Sequence, residues 1–423
     1  MSKFRLLAAD AKKKLFDIGE LEPCGMRGGA FSPIPEKDFI KLPHGSEQFV
    51  LPGRKAVGFD RRNSSFPQLE DLYAVSAFIS PGYTVTYNPA YSETEDAPFL
   101  PLFSYGAVGL HKGDIYVAAV RVDRELRQDL RFMDMKKAGR RALDLRRRFP
   151  KNRLVRHLEN CAFINSCPAA KNFFLVRYEG PLPVSPSCNA RCLGCISYQE
   201  EGDCPITQPR IDFVPTPEEL AEAALYHIEN VKDPVVSFGQ GCEGEPLMEW
   251  QVMEKAIRLI RRNTSKGMIN LNTNASLPVA IAALFDAGLD SIRVSLNSVR
   301  KRYYNLYYRP AYGFKDVMKS IRNAKKRGGF VSINYLTMPG FTDSNAEVEG
   351  LRRFLNKCRI DMIQWRNLNY DPLAYFRAMK YCPDRRELIG IRDEIRALKM
   401  EFPRLMHGYF NPSKGRIRRN KKG

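Results

Sequence analysis

From Asn172 onward two hydrophobic rhythms alternate along the chain. Short apolar runs, FFLVRYE, PVVSFG, MINLNT, SIRVSLN, FVSINYLT and MIQWRNL, read as six strands. Between them lie stretches with apolar residues every three or four positions, the period of a helix packed on one face. The first, TPEELAEAALYHIENV, opens on Thr216 as N-cap, with Pro217 in the first turn and Glu219 at the reciprocal capping position. LMEWQVMEKAIRLIRR, PVAIAALFDAG, FKDVMKSIRNAKKRG and SNAEVEGLRRFLNKC continue the series. Such regular alternation predicts an α/β domain with a parallel sheet and right-handed crossovers. Six units fall two short of a closed eight-fold barrel, and an open doubly wound sheet fits the alternation equally well. Either architecture places its chemistry at the C-terminal ends of the strands.

Before Asn172 the pattern is different. QFVLP, AVGFD and DIYVAAVRVD read as strands, and Pro81-Gly82 inside AVSAFISPGYTVTYNPAY predicts a hairpin. A basic, Leu-punctuated helix is expected near Met133 to Phe149, followed by a linker to about Lys171. The expected organisation is therefore a smaller β-rich N-terminal domain with basic helix and linker over 1–170, an α/β core over 171–404, and a disordered basic tail over 405–423.

Charge sharpens this picture. The formal net charge is +20, and residues 121–156 hold fourteen Lys/Arg against five Asp/Glu. The tail from Asn411 adds Lys414, Arg416, Arg418, Arg419, Lys421 and Lys422 without an acid. Such segments attract polyanions, nucleic acid first, although a solvated helix and a solubilising tail would have the same composition. No apolar run approaches the roughly 18 residues of a membrane span, and no signal peptide is evident at the start. The expectation is a cytoplasmic protein without membrane association. Ten cysteines in a chain lacking an export signal argue against a disulfide scaffold.

Three of those cysteines sit in SPSCNARCLGC as Cys188, Cys192 and Cys195, spaced C-x3-C-x2-C directly after the first predicted strand. Three thiolates can hold three irons of a 4Fe-4S cluster and leave the fourth iron open to a small molecule. A structural zinc site completed by Cys204 is the competing reading. The loop GQGCEGEP follows the second strand, Thr273-Asn274 end the third, Ser295 and Asn297 the fourth, and Arg366 to Asn369 the sixth. One rim would carry all of them.

On these motifs the chain resembles the radical S-adenosylmethionine (SAM) superfamily over roughly residues 172–380. The resemblance implies a partial (β/α)6 TIM-like barrel with the 4Fe-4S cluster on Cys188, Cys192 and Cys195. Glu243-Gly244-Glu245-Pro246 looks like the family's Gly-Gly-Glu-Pro motif, which contacts the SAM amino group. Thr273, Asn274, Ser295 and Asn297 look like its contacts to ribose and carboxylate. Two departures stand out: Glu243 replaces the first glycine, and Leu193 stands where an aromatic residue often packs near the adenine. The activity implied is reductive cleavage of SAM to a 5′-deoxyadenosyl radical that abstracts hydrogen from a substrate, with a flavodoxin or ferredoxin as electron donor. RNA is one candidate substrate, on the strength of the basic segments. A peptide, a protein or a small molecule is the alternative, and a non-catalytic iron-sulfur or zinc protein is a third reading.

Cys161 and Cys167, with Cys204 or Cys24, are candidates for a second iron-sulfur cluster; equally they are buried thiols. Cys242 is a candidate radical donor or methyl acceptor, or a small residue packed in a turn. Cys358 and Cys382 read as structural, His227 as a packed histidine, and the Tyr run RYYNLYYRP as helix packing or a base-stacking surface.

Overall fold

In the computed structural model, which describes residues 3–200 and 204–422, seven parallel strands form one sheet in strictly sequential order. They are Glu179–Pro181, Val235–Phe238, Met268–Thr273, Ser291–Leu296, Phe330–Thr337, Met362–Asn367 and Met406–Gly408. Each strand pairs with the one before it, and the order never reverses. A doubly wound sheet reverses direction at a switch point; a sheet that advances one way is an incomplete barrel. Helices Pro217–Asn230, Trp250–Asn263, Pro278–Ala287, Phe314–Lys326 and Asn345–Cys358 make the five crossovers from strand one to strand six and pack with the strands into one large core. The predicted capping box is present: the Thr216 hydroxyl accepts from Glu219 N, and Glu219 accepts from Thr216 N at 2.8 Å.

The sheet differs from expectation at both ends. Phe173, Phe174 and Leu175, expected in the first strand, belong to helix Pro168–Leu175, which stops at Val176 in a left-handed conformation. The strand itself is only Glu179–Pro181. A short apolar run has no period to tell strand from buried helix. The expected linker is likewise helical: Met135–Arg148, Arg153–Phe163 and Pro168–Leu175 bury Ala138, Leu145, Leu158 and Phe173 in the barrel core. These helices belong to the barrel, not to the N-terminal domain.

The expected disordered tail is also ordered. Met406–Gly408 is the seventh strand, and Lys414–Lys422 is a helix held by one buried and one half-buried acid. Arg416 pairs with Asp123 at 2.9 Å, and the Asp233 carboxylate accepts from the Ser413 hydroxyl and from Gly415 N. These counter-charges give a basic segment a fixed place. Gly423 lies outside the described residues.

The N-terminal domain is an antiparallel assembly of twelve strands among the described residues, built around the long pair Glu47–Phe59 and Gln68–Phe78. QFVLP and AVGFD are parts of this first long strand, separated by an irregularity in register. Alternation sends neighbouring residues to opposite faces: Ala8 and Ala74 enter one core, while Leu7, Ala9 and Val75 enter another. The hairpin expected at Pro81-Gly82 does not form. Tyr83–Val85 pairs instead with Asp114–Arg121, and Gln68–Phe78 pairs elsewhere.

The domain is fastened to the sixth barrel strand. Thr84 Oγ1 donates to Trp365 O at 3.0 Å. The Asn367 side chain accepts from Val85 N at 2.9 Å and donates to Tyr83 O at 3.0 Å. Arg54 and Asp371, each 1% exposed, pair at 2.8 Å across the junction.

Candidate active site

The cysteine loop leaves the first barrel strand and is held against the loop that follows the second. Gly244 N donates to Ser185 O at 2.7 Å, and Glu245 N donates to Ser187 O at 2.8 Å, so the two loops run as a short ladder. A Cβ on Gly244 would lie 2.0 Å from the Ser187 oxygen. Only glycine permits that approach.

Glu243 fixes the same junction. Its carboxylate accepts from Val184 N at 2.8 Å, Ser185 N at 3.2 Å, Gly239 N at 2.8 Å and Gln240 N at 2.6 Å. Burial pushes its carboxyl up to about 8, and the four amide donors pull it back. Glu243, expected at the cofactor, lines the cavity that these loops wall, while its carboxylate clamps backbone. Glu245 accepts from Asn274 N at 2.8 Å, from Leu247 N and from the Thr273 hydroxyl. Its carboxyl is raised to about 7 by full burial.

These loops wall a cavity of about 310 Å³ at the C-terminal end of the sheet. Cys188, Cys192 and Cys195 line it together with Gly244, Glu245, Pro246, Thr273, Asn274 and Ser295. Arg210 Nη2 stands 3.6 Å from Cys195 Sγ, a cation beside a prospective thiolate. Asn297 does not reach the cavity. It lies one residue beyond its strand, and its amide nitrogen donates to Tyr303 O and the Tyr375 hydroxyl, each at 3.3 Å. Asn367 lines the cavity, but its amide is taken up by domain docking. Leu193 is buried in the barrel core. Gly194, directly before Cys195, has no room for a side chain, because the Asn369 carbonyl and Tyr307 hydroxyl stand 2.8 and 2.9 Å from where its Cβ would be. An aromatic ring cannot enter there. The Tyr run is the helix Lys301–Tyr308, with Tyr304, Tyr307 and Tyr308 buried behind the cysteine loop.

Arg293 and Asn334, absent from the expectations above, also line the cavity. Arg293 is half-buried with its Nε buried and unpartnered, while one of its terminal nitrogens donates to Gln364 at 3.1 Å. Burial pulls its guanidinium down to about 9, and the nearby Arg366 adds to the shift. Arg366 lies over the Tyr409 ring at 4.0 Å. Neither arginine forms an ion pair among the described residues. Period-two spacing with Ser291 and Ser295 was the signal for Arg293: all three share one face of the strand.

The expected auxiliary set is not brought together. Cys204 packs in the N-terminal junction with Sγ 3.8 Å from Leu100 O, and Cys24 is buried in the N-terminal sheet, its thiol pushed up to about 12 by burial. Cys161 instead meets His157 at 3.4 Å and shares a thiol hydrogen bond with Cys242. His227 is fully buried; burial holds its imidazole down at about 4. The basic segments sit at the other end of the sheet. Arg141 donates to Leu175 O before the first strand, while Lys414 donates to Ser265 O and pairs with Asp290, ahead of strands three and four.

Residues 182–355 match the model of the Radical SAM superfamily. It is 24% identical over 179 residues to the FeMo cofactor biosynthesis protein NifB of Klebsiella pneumoniae, covering 38% of each chain. It is 27% identical over 187 residues to the GTP 3′,8-cyclase of Aquifex aeolicus, covering 43% of this chain and 53% of that one. The chain thus spans about half or less of these relatives' lengths. Among solved structures, methylornithine synthase (PylB) aligns at 14% identity and TM-score 0.38, over 66% of this chain and 74% of that one. No helix among the described residues is long and apolar enough to cross a membrane.

Proposed function

We propose that the protein is a radical SAM enzyme that cleaves SAM reductively in the cavity between the cysteine loop and the Glu-Pro loop. The observation that carries this is the convergence of three thiols and a buried carboxylate on one cavity. Cys188, Cys192 and Cys195 would hold a 4Fe-4S cluster. When bound, the cluster supplies the electron that breaks the sulfonium C–S bond of SAM. Glu245 would accept from the SAM amino group, a role supported by its position in the cavity wall, where Thr273 and Asn274 donate to it. The ladder between residues 185–187 and 244–245 keeps amino-group acceptor and thiols in fixed relation, so SAM is oriented by rigid backbone. A flavodoxin or ferredoxin is the proposed electron donor, and the cytoplasm the proposed compartment.

Arg293 and Arg366 give the cavity floor two guanidinium groups without carboxylate partners, which favours a small substrate bearing a carboxylate or phosphate. RNA is the second reading, favoured by the exposed basic face of helix Met135–Arg148. RNA held by six to ten phosphate contacts would lose roughly 10³–10⁵ in affinity between 50 and 200 mM salt.

Anaerobic reconstitution with iron and sulfide, followed by SAM and a strong reductant, tests the main reading. The expected result is about four irons per chain and 5′-deoxyadenosine, both lost in Cys192→Ala. A fully loaded protein that never releases the nucleoside would leave only an electron-carrying or structural role.

A further inference from the structure

Among the described residues one trio of His, Cys, Asp or Glu side chains has its ligand atoms all within 4.8 Å of one another: His157, Cys161 and Cys242. We propose that this trio is a second metal site, built for a single zinc ion and independent of the radical chemistry.

His157 and Cys161 lie four residues apart on helix Arg153–Phe163, which puts them on one face. Cys242 arrives from the loop after the second barrel strand. His157 Nε2 stands 3.4 Å from Cys161 Sγ. At Zn–N and Zn–S lengths of about 2.0 and 2.3 Å, two tetrahedral ligands stand roughly 3.5 Å apart. Thiolates of a cubane cluster sit on separate irons and stand further apart than ligands of one ion. The spacing therefore suits one ion.

Both thiols are free, and both are at most 3% exposed within the apolar core. His157 is only half-buried and leaves an entry path. Cys167 follows the helix, its N–H donating to Cys161 O at 2.9 Å, and is the candidate fourth ligand by rotation of its side chain. Binding would release the remaining thiol protons. The ion would tie a helix that precedes the barrel to the residue adjoining Glu243, and so brace the loop that carries Glu245.

The full-length chain with Cys188, Cys192 and Cys195 all changed to Ala removes the competing thiols. Titration with Co²⁺ should give one equivalent per chain and the intense visible bands of tetrahedral thiolate ligation, bleached by Zn²⁺. Adding Cys161→Ser or Cys242→Ser should abolish the bands, whereas Cys204→Ser should leave them. A folded protein, by circular dichroism, that shows no such bands would overturn the proposal, as would bands that survive Cys242→Ser. Loss of two titratable thiols under denaturing, non-reducing conditions would also overturn it, by assigning a Cys161–Cys242 disulfide. So would a brown iron-sulfur chromophore that depends on both thiols. If the triple variant does not fold, zinc-edge X-ray absorption of the cluster-loaded wild type decides. Mixed sulfur and nitrogen ligation supports the site, and absence of zinc after growth in zinc-supplemented medium rejects it. Neither measurement depends on SAM cleavage.

Discussion

At the scale of single residues, Glu243 shows how a departure from a family motif can carry its own structural reason. Its carboxylate gathers four backbone amides from two loops. Truncation would strand those donors in the interior, and each buried unsatisfied donor costs about 1–3 kcal/mol. Glu243→Ala is expected to lose about 3 kcal/mol or more in a urea titration, and Glu243→Gln distinctly less. The buried histidines set an acid limit. His227 is held at about 4 against an ordinary 6.5, and His407, which accepts from Trp365 Nε1 at 2.9 Å, at about 3. Burial is the leading cause for both. With folded values depressed, the unfolded chain binds more protons below pH 6.5. Stability is therefore full above about 6.5 and falls as pH drops through 4, by about 3 kcal/mol for His227 alone. Denaturant midpoints between pH 7.5 and 5 should show the decline, and His227→Phe should flatten it. The three thiols and Glu245 were legible because motif spacing survives any detail of packing. Asn297 and Asn367 were not, because side-chain direction past a strand end and domain docking leave no mark in spacing.

Among elements, the loop-to-loop ladder couples the cysteine loop to the Glu-Pro loop. Gly244→Ala would force a Cβ to 2.0 Å from the Ser187 oxygen, so the loops must part. The expected outcome is at least a tenfold weaker Kd for SAM by calorimetry on the reconstituted protein, with helix content unchanged; wild-type affinity would refute the coupling. Amphipathic helices with caps and strands two to six were readable because they are long and periodic. The first and seventh strands are three residues each, and a run such as Met406-His407-Gly408 offers neither period nor β-branched residues.

Over the whole molecule, the junction between the β-rich domain and the barrel rests on a buried ion pair. Arg54 also donates to Pro52 O at 2.8 Å, and Asp371 caps helix Pro372–Met379 through Ala374 N at 3.1 Å. Removing one partner of a buried pair costs about 3–5 kcal/mol. Arg54→Ala should show that loss in denaturation and a faster tryptic cut between the domains. Within the basic tail, Arg416 pairs with Asp123 and Lys414 with Asp290, so these two charges serve packing, while Arg418 and Arg419 are exposed. Net charge announced the segment but not its destination, since composition records no counter-ions. The central claim is that the iron left open by three thiols takes SAM. Electron paramagnetic resonance of the reduced, reconstituted protein, with and without SAM, tests it most directly. A cluster signal that shifts when SAM is added, and is absent in Cys192→Ala, is the predicted result; a signal indifferent to saturating SAM would contradict it.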